Sequence, residues 1–220
     1  MIMKTKKYFA ASVVLILAFA VFTILVATVD VDPIGPEGSA VGFSALNQFL
    51  FRYVGTHSFW FSLTEWLGVA AIFIMLCFGA EGMFQLLRRK SIRRVDAHIL
   101  LLGGLYALLI AVYAFFEVVV INYRPVLVDG CLEPSYPSTH TMLVICVAVS
   151  ASMRLRAKFP EKKLLWTGGY AAAGILSVGT AVGRFLSGVH WFTDIVGAVL
   201  LSAALLVLYR FGIELFSIKK

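Results

Sequence analysis

Six apolar runs, all but one of full bilayer-crossing length and separated by short polar segments, dominate this chain. A membrane-spanning helix needs about 20 mostly apolar residues. Lipid offers nothing to unpaired backbone amides and carbonyls, so such runs must pair them internally, as helices. Spans are predicted over residues 8–29, 59–87, 99–123, 138–153, 164–182 and 191–211. The fourth is short for a perpendicular crossing. The first follows a basic N-terminus, as a signal peptide would, but its apolar run exceeds the roughly 7–15 residues of a signal core and reads as a retained span. With 14% charged residues, against about 25% in soluble domains, the expected class is an all-α, polytopic membrane bundle forming a single domain over residues 1–220.

The distribution of basic residues orients this bundle. With the N-terminus inside, the cytoplasmic segments are residues 1–7, 88–96, 154–163 and the end from Arg210. They carry three, five, five and three Lys/Arg, 16 of the chain's 19. Cytoplasmic enrichment of Lys/Arg is the main determinant of topology, so both termini are expected in the cytoplasm. The net charge of +7 is spread in these clusters and points to membrane lipid head groups rather than nucleic acid. Arg52, Arg124 and Arg184 remain on the outer side. A bound anion would account for the last two.

Residues 30–58 form an outer connection. Its first part is turn-rich, with Pro33, Gly35, Pro36 and Gly38. Residues 44–54 predict a short helix with Phe43, Leu46, Phe49, Leu50 and Tyr53 on one side, either lying on the membrane surface or packing on the bundle. Cys77 and Cys146 fall in apolar runs and read as packing residues, and Cys131 falls in a loop. Their spacing indicates no disulfide framework and no metal site.

Chemistry-bearing residues cluster at the outer ends of the spans. His190 and Asp194 are four apart at a helix start, on one face. A carboxylate there can fix the imidazole tautomer and leave one nitrogen as a directed lone pair, or simply close two helices with a structural hydrogen bond. Arg184 supplies a planar fork suited to phosphate oxygens, or anchors to lipid head groups. Arg124 precedes Pro125, which disfavours helix at the residue before it, so the third span is expected to end near Tyr123. In Pro137-Ser138-Thr139-His140, Ser135 or Ser138 can cap the fourth span and Pro137 suits its first turn. The helix N-terminus offers free N–H groups to an anion, and His140 could protonate a leaving oxygen. Each element alone has a bland reading. Together, on one membrane face, they supply what a phosphate ester requires. Within the spans, Glu81 and Glu117 are the charges expected to need partners.

These residues resemble the type 2 phosphatidic acid phosphatase superfamily, whose signature is K-x6-RP, PSGH and SR-x5-H-x3-D. The second part appears here as PSTH and the third as GR-x5-H-x3-D, and the RP of the first is Arg124-Pro125. The resemblance implies six membrane helices and dephosphorylation of a lipid phosphate or pyrophosphate at the extracytoplasmic face of a plasma membrane, without metal or cofactor. By position it implies that His190 is the nucleophile forming a phosphohistidine, Asp194 its orienting acid and His140 the proton donor. Arg124, Arg184, Ser138 and Thr139 would hold the phosphate. Prenyl pyrophosphates, phosphatidic acid and phosphatidylglycerol phosphate all fit as substrates. The short loops and N-terminal lysines suit a bacterial protein. Three positions depart from the signature: Thr139 replaces glycine, Gly183 replaces serine and Glu117 replaces lysine. Glu117 is expected to pair with Arg124 or to face another helix. Two further readings stay open, a lipid-linked phosphotransferase and a non-catalytic lipid-phosphate binding or transport protein.

Overall fold

A computed structural model describes residues 2–218; Lys219 and Lys220, which belong to the C-terminal basic cluster, lie outside the described residues. Among these residues the fold is built from seven α-helices and no β-strands: α1 (Ile2–Thr28), α2 (Ser44–Val54), α3 (Ser58–Arg89), α4 (Ala97–Val118), α5 (Thr139–Lys158), α6 (Lys163–Leu186) and α7 (Phe192–Ile218). All but α2 are long and apolar enough to cross a membrane.

α4, α5 and α7 meet at the centre. Leu102, Leu105, Tyr106 and Leu109 recur at helical spacing along α4 and are buried against Met142, Cys146 and Val147 of α5 and Ala198, Leu201 and Leu205 of α7. Within a membrane this contact gains from close packing rather than from escape from water. The outward faces of α1, α3 and α6 carry exposed large apolar residues such as Val14, Phe73 and Ile175, as lipid-facing surfaces do. Cys77 is exposed among them, so the packing role expected of it is not observed, whereas Cys146 is buried in the core.

Several span limits differ from expectation, and three of them bear on charged or motif residues. α4 ends at Val118, five residues before Tyr123. The run from Val118 to Ile121 is apolar but entirely β-branched, which restricts side-chain rotamers in a helix. The backbone leaves the helix and pairs with the following loop, where the amide of Arg124 donates to the carbonyl of Glu133 (3.0 Å) and that of Ser135 to the carbonyl of Asn122 (2.9 Å). Arg154, assigned to a cytoplasmic segment, lies inside α5 and is buried. Its guanidinium pairs with Asp96 (2.9 Å) and Glu81 (3.1 Å), joining α3, α4 and α5 at the end away from the motif residues. Arg184, expected where the fifth span meets its outer loop, lies in the last turn of α6 and is fully buried.

The short outer helix has the expected bounds. Its polar side faces the bundle: Asn47 is buried, and its side-chain amide donates to the carbonyl of Gly42 (2.8 Å) and to Thr193 Oγ1 (2.9 Å) at the start of α7. Phe49 and Tyr53 point outward and are exposed.

Candidate active site

The site forms where the N-terminal ends of α5 and α7 and the C-terminal end of α6 meet the loop between α4 and α5. Residues 187–191 turn the chain from α6 into α7 and carry His190 into the interior. Asp194 sits in the first turn of α7, fully buried. Its Oδ2 accepts from the Trp191 amide (2.9 Å), capping the helix start, and its Oδ1 accepts from Asn122 Nδ2 (3.2 Å).

The two ring nitrogens of His190 have distinct partners. Nε2 faces Arg184 Nη2 at 3.3 Å. A guanidinium can only donate, so Nε2 is the acceptor and the proton resides on Nδ1. Nδ1 donates to the Ser135 carbonyl (3.1 Å), with Asp194 Oδ2 at 3.5 Å. The carboxylate is thus the more distant of two groups that fix the tautomer. Burial, reinforced by the positive charge of Arg184, holds the His190 imidazole well below its ordinary value of 6.5, so it is neutral with a lone pair on Nε2.

Arg184 lies over the ring of Phe61, and its Nη1 pairs with Glu65 Oε1 at 2.8 Å. The other oxygen of that carboxylate, Oε2, lies 3.2 Å from His140 Nε2. Glu65 therefore links the histidine of the PSTH segment to the arginine beside His190. It lies in the second turn of α3, whereas Glu81, further along the same helix, and Glu117 of α4 were the charges expected within the spans. The only sequence signal was a carboxylate inside an apolar run, which calls for a partner.

Arg124 pairs with Glu133 (Nε–Oε2 3.0 Å), so the pairing with Glu117 entertained from spacing is not the ion pair observed. Arg124, Glu117, Glu133, Thr139 and His140 stand together in the wall of a cavity of about 640 Å3. Its deeper wall is apolar, formed by Ile72, Met75 and Leu76 of α3, Leu109 and Ile110 of α4 and Leu143 of α5.

Pro137 precedes the helix rather than occupying its first turn, and Ser138 holds the N-cap position without a side-chain capping bond. Ser138 is fully buried, with its hydroxyl 3.0 Å from Thr141 Oγ1. Thr139 stands in the cavity wall, not Ser138. Two glycines are set by close approach. A Cβ on Gly183 would lie 2.8 Å from Thr64 Cγ2 and 3.2 Å from the Trp60 ring, which gives a packing reason for glycine where the signature has serine. A Cβ on Gly68 would lie 2.7 Å from the ring of His140. Among the described residues no group of three His, Cys, Asp or Glu side chains is arranged to hold a metal.

The bundle thus defines a multi-pass membrane protein with paired arginines and histidines at one end of its spans. Residues 68–213 match the model of the PAP2 superfamily, and the chain belongs to that family. No curated protein sequence matches it. Its fold is similar to the crystal structure of a transmembrane PAP2-type phosphatidylglycerolphosphate phosphatase from Bacillus subtilis, at 20% sequence identity and a TM-score of 0.63, covering 90% of this chain and 94% of that one.

Proposed function

We propose that this protein is a metal-independent lipid phosphatase that removes phosphate from a membrane lipid phosphate or pyrophosphate at the extracytoplasmic face of the cell membrane. The observation that carries this reading is the pairing of the His190 ring nitrogens, Nδ1 with the Ser135 carbonyl and Nε2 with Arg184, which leaves the lone pair on Nε2 beside a guanidinium. In-line attack needs that lone pair aimed at phosphorus, and it needs cationic groups on the equatorial oxygens. Arg184 and Arg124 supply the cations, and Thr139 at the N-terminus of α5 adds backbone donors. The phosphoryl group moves to His190 Nε2 as the P–O bond to the lipid breaks. The leaving oxygen takes a proton from His140. Water then attacks the phosphohistidine, returns a proton to His140 and releases phosphate.

The cavity supports a lipid as the leaving group. Arg124 and His140 line it together with an apolar wall from α3, α4 and α5, where an acyl or prenyl chain would contact side chains as apolar as itself. The basic clusters on the opposite side of the bundle support an extracytoplasmic site.

Purified protein in detergent with EDTA, given phosphatidic acid or a prenyl pyrophosphate labelled with 32P, tests the reading. Phosphate release and an acid-labile, base-stable phosphoprotein are expected, both lost in His190→Ala. Absence of release from every lipid phosphate overturns it. Glu117 favours a second reading, a protein that binds lipid phosphate without turning it over, because it places a carboxylate where the family signature has a lysine. Binding without release would establish that alternative.

A further inference from the structure

Glu65 belongs to none of the signature segments, yet its two carboxylate oxygens hold two of their residues. Oε1 lies 2.8 Å from Arg184 Nη1 and Oε2 lies 3.2 Å from His140 Nε2. The residues are drawn from three helices, with Glu65 on α3, His140 on α5 and Arg184 on α6. A carboxylate inserted among apolar residues carries a substantial desolvation cost, and Glu65 occupies an arginine N–H that a phosphate oxygen would use.

Resting on the phosphatase reading above, we propose that Glu65 is a positioning residue that holds the His140 imidazole for leaving-group protonation and cedes Arg184 to the incoming phosphate. Two features favour this over a structural pair. First, Glu65 is 40% exposed by its side chain whereas Arg184 is fully buried, so the carboxylate is free to move off a guanidinium that stays in place. Second, the α3 backbone at Gly68 approaches the Cδ2 and Nε2 edge of the imidazole so closely that a methyl group would not fit, which seats that edge of His140 against α3 beside Glu65. When phosphate takes the Arg184 N–H, Glu65 is left with the His140 imidazole alone. An adjacent carboxylate favours the charged imidazole, and a charged imidazole has a proton to give. As the Nε2–P bond forms at His190 and the P–O bond to the lipid breaks, that proton passes to the leaving oxygen and His140 becomes neutral. Hydrolysis of the phosphohistidine restores it.

The test compares leaving groups. Expulsion of a lipid alkoxide needs a proton, whereas expulsion of 4-nitrophenolate does not. For Glu65→Gln, kcat with phosphatidic acid should fall about 100-fold, within the range for loss of general acid catalysis, while kcat with 4-nitrophenyl phosphate should change less than about threefold. Inorganic phosphate should inhibit the variant several-fold more strongly, because Arg184 no longer has an internal carboxylate competing for it. An equal fall with both substrates, or weaker phosphate inhibition, would assign Glu65 a purely structural role and overturn the proposal. If Glu65→Gln does not fold, Glu65→Asp is read in the same way: its shorter reach should raise the ratio of 4-nitrophenyl phosphate to phosphatidic acid turnover at least fivefold, and an unchanged ratio overturns the proposal. Wild-type protein inactive on both substrates would sink the phosphatase reading itself, a distinct outcome from wild-type activity with an unaltered ratio in the variants.

Discussion

Arg184 donates to Nε2 of His190 at 3.3 Å, and this contact leaves the imidazole proton on the opposite nitrogen. One guanidinium thereby selects the tautomer and stands where a phosphate oxygen would lie next to the attacking atom. Arg184→Lys is expected to lower kcat/KM by more than 100-fold despite keeping the charge. An ammonium cannot reach Glu65 and His190 with two fixed donors as the planar fork does. Steady-state kinetics on phosphatidic acid check this, and near-wild-type kcat/KM would contradict it.

The protonation of His190 predicts the acid limb of the pH profile. Burial and the positive charge of Arg184 push the imidazole well below 6.5, so the attacking lone pair persists as pH falls through 6.5. The limb of kcat/KM assigned to this group should lie below that value. Stability follows the same sign. Between 6.5 and the lower folded value the unfolded chain binds a proton that the folded chain does not, so stability falls as pH falls through this window. Thermal unfolding in detergent from pH 7.5 to 5 measures it, and the slope should diminish in His190→Ala.

Gly68→Ala should separate activity from stability. The added Cβ would lie 2.7 Å from the His140 ring and force the imidazole away from Glu65. Alanine favours helix over glycine by about 1 kcal/mol. The variant should therefore lose about tenfold in kcat with a melting temperature unchanged or raised. A parallel loss of both would mean that the contact with His140 is not what the glycine protects.

Glu117→Ala is expected to alter turnover without abolishing it. Glu117 lines the cavity wall but is not the ion-pair partner of Arg124, which pairs with Glu133. KM for phosphatidic acid should change several-fold and kcat by less than tenfold. Complete loss of activity would give Glu117 an essential role.

Cys131 reports the sidedness of the membrane. It is exposed in the loop between Arg124 and Glu133, while Cys77 lies on an outward face of a membrane span and Cys146 is buried. A membrane-impermeant maleimide applied to intact cells should label the protein, and Cys131→Ser should remove the label. Labelling only after permeabilisation would reverse the orientation.

The sequence made the spans and the motif residues legible because both signals are local. Hydropathy marks each apolar run, and PSTH or GR-x5-H-x3-D is read without knowing the fold. Even the short outer helix, residues 44–54, was visible from its one-sided apolar pattern. Non-local features were not. Hydropathy continues through Val119 and Ile121, so it does not register that the backbone has already left α4 and begun pairing with Glu133 and Ser135. The burial of Arg154 depends on Glu81 and Asp96 from two other helices. Glu65 was missed for the same reason, since its partners are residues 140 and 184 and nothing in its own segment names them.

The pairing of Arg154 with Glu81 and Asp96 fastens α3, α4 and α5 to one another at the extremity remote from His190. Taking one member out of a buried ion cluster costs about 3–5 kcal/mol, so these helices cannot easily part there. On the proposed reading, any parting of these helices that admits a lipid would be hinged at that knot, like the arms of tweezers, and widest near His190.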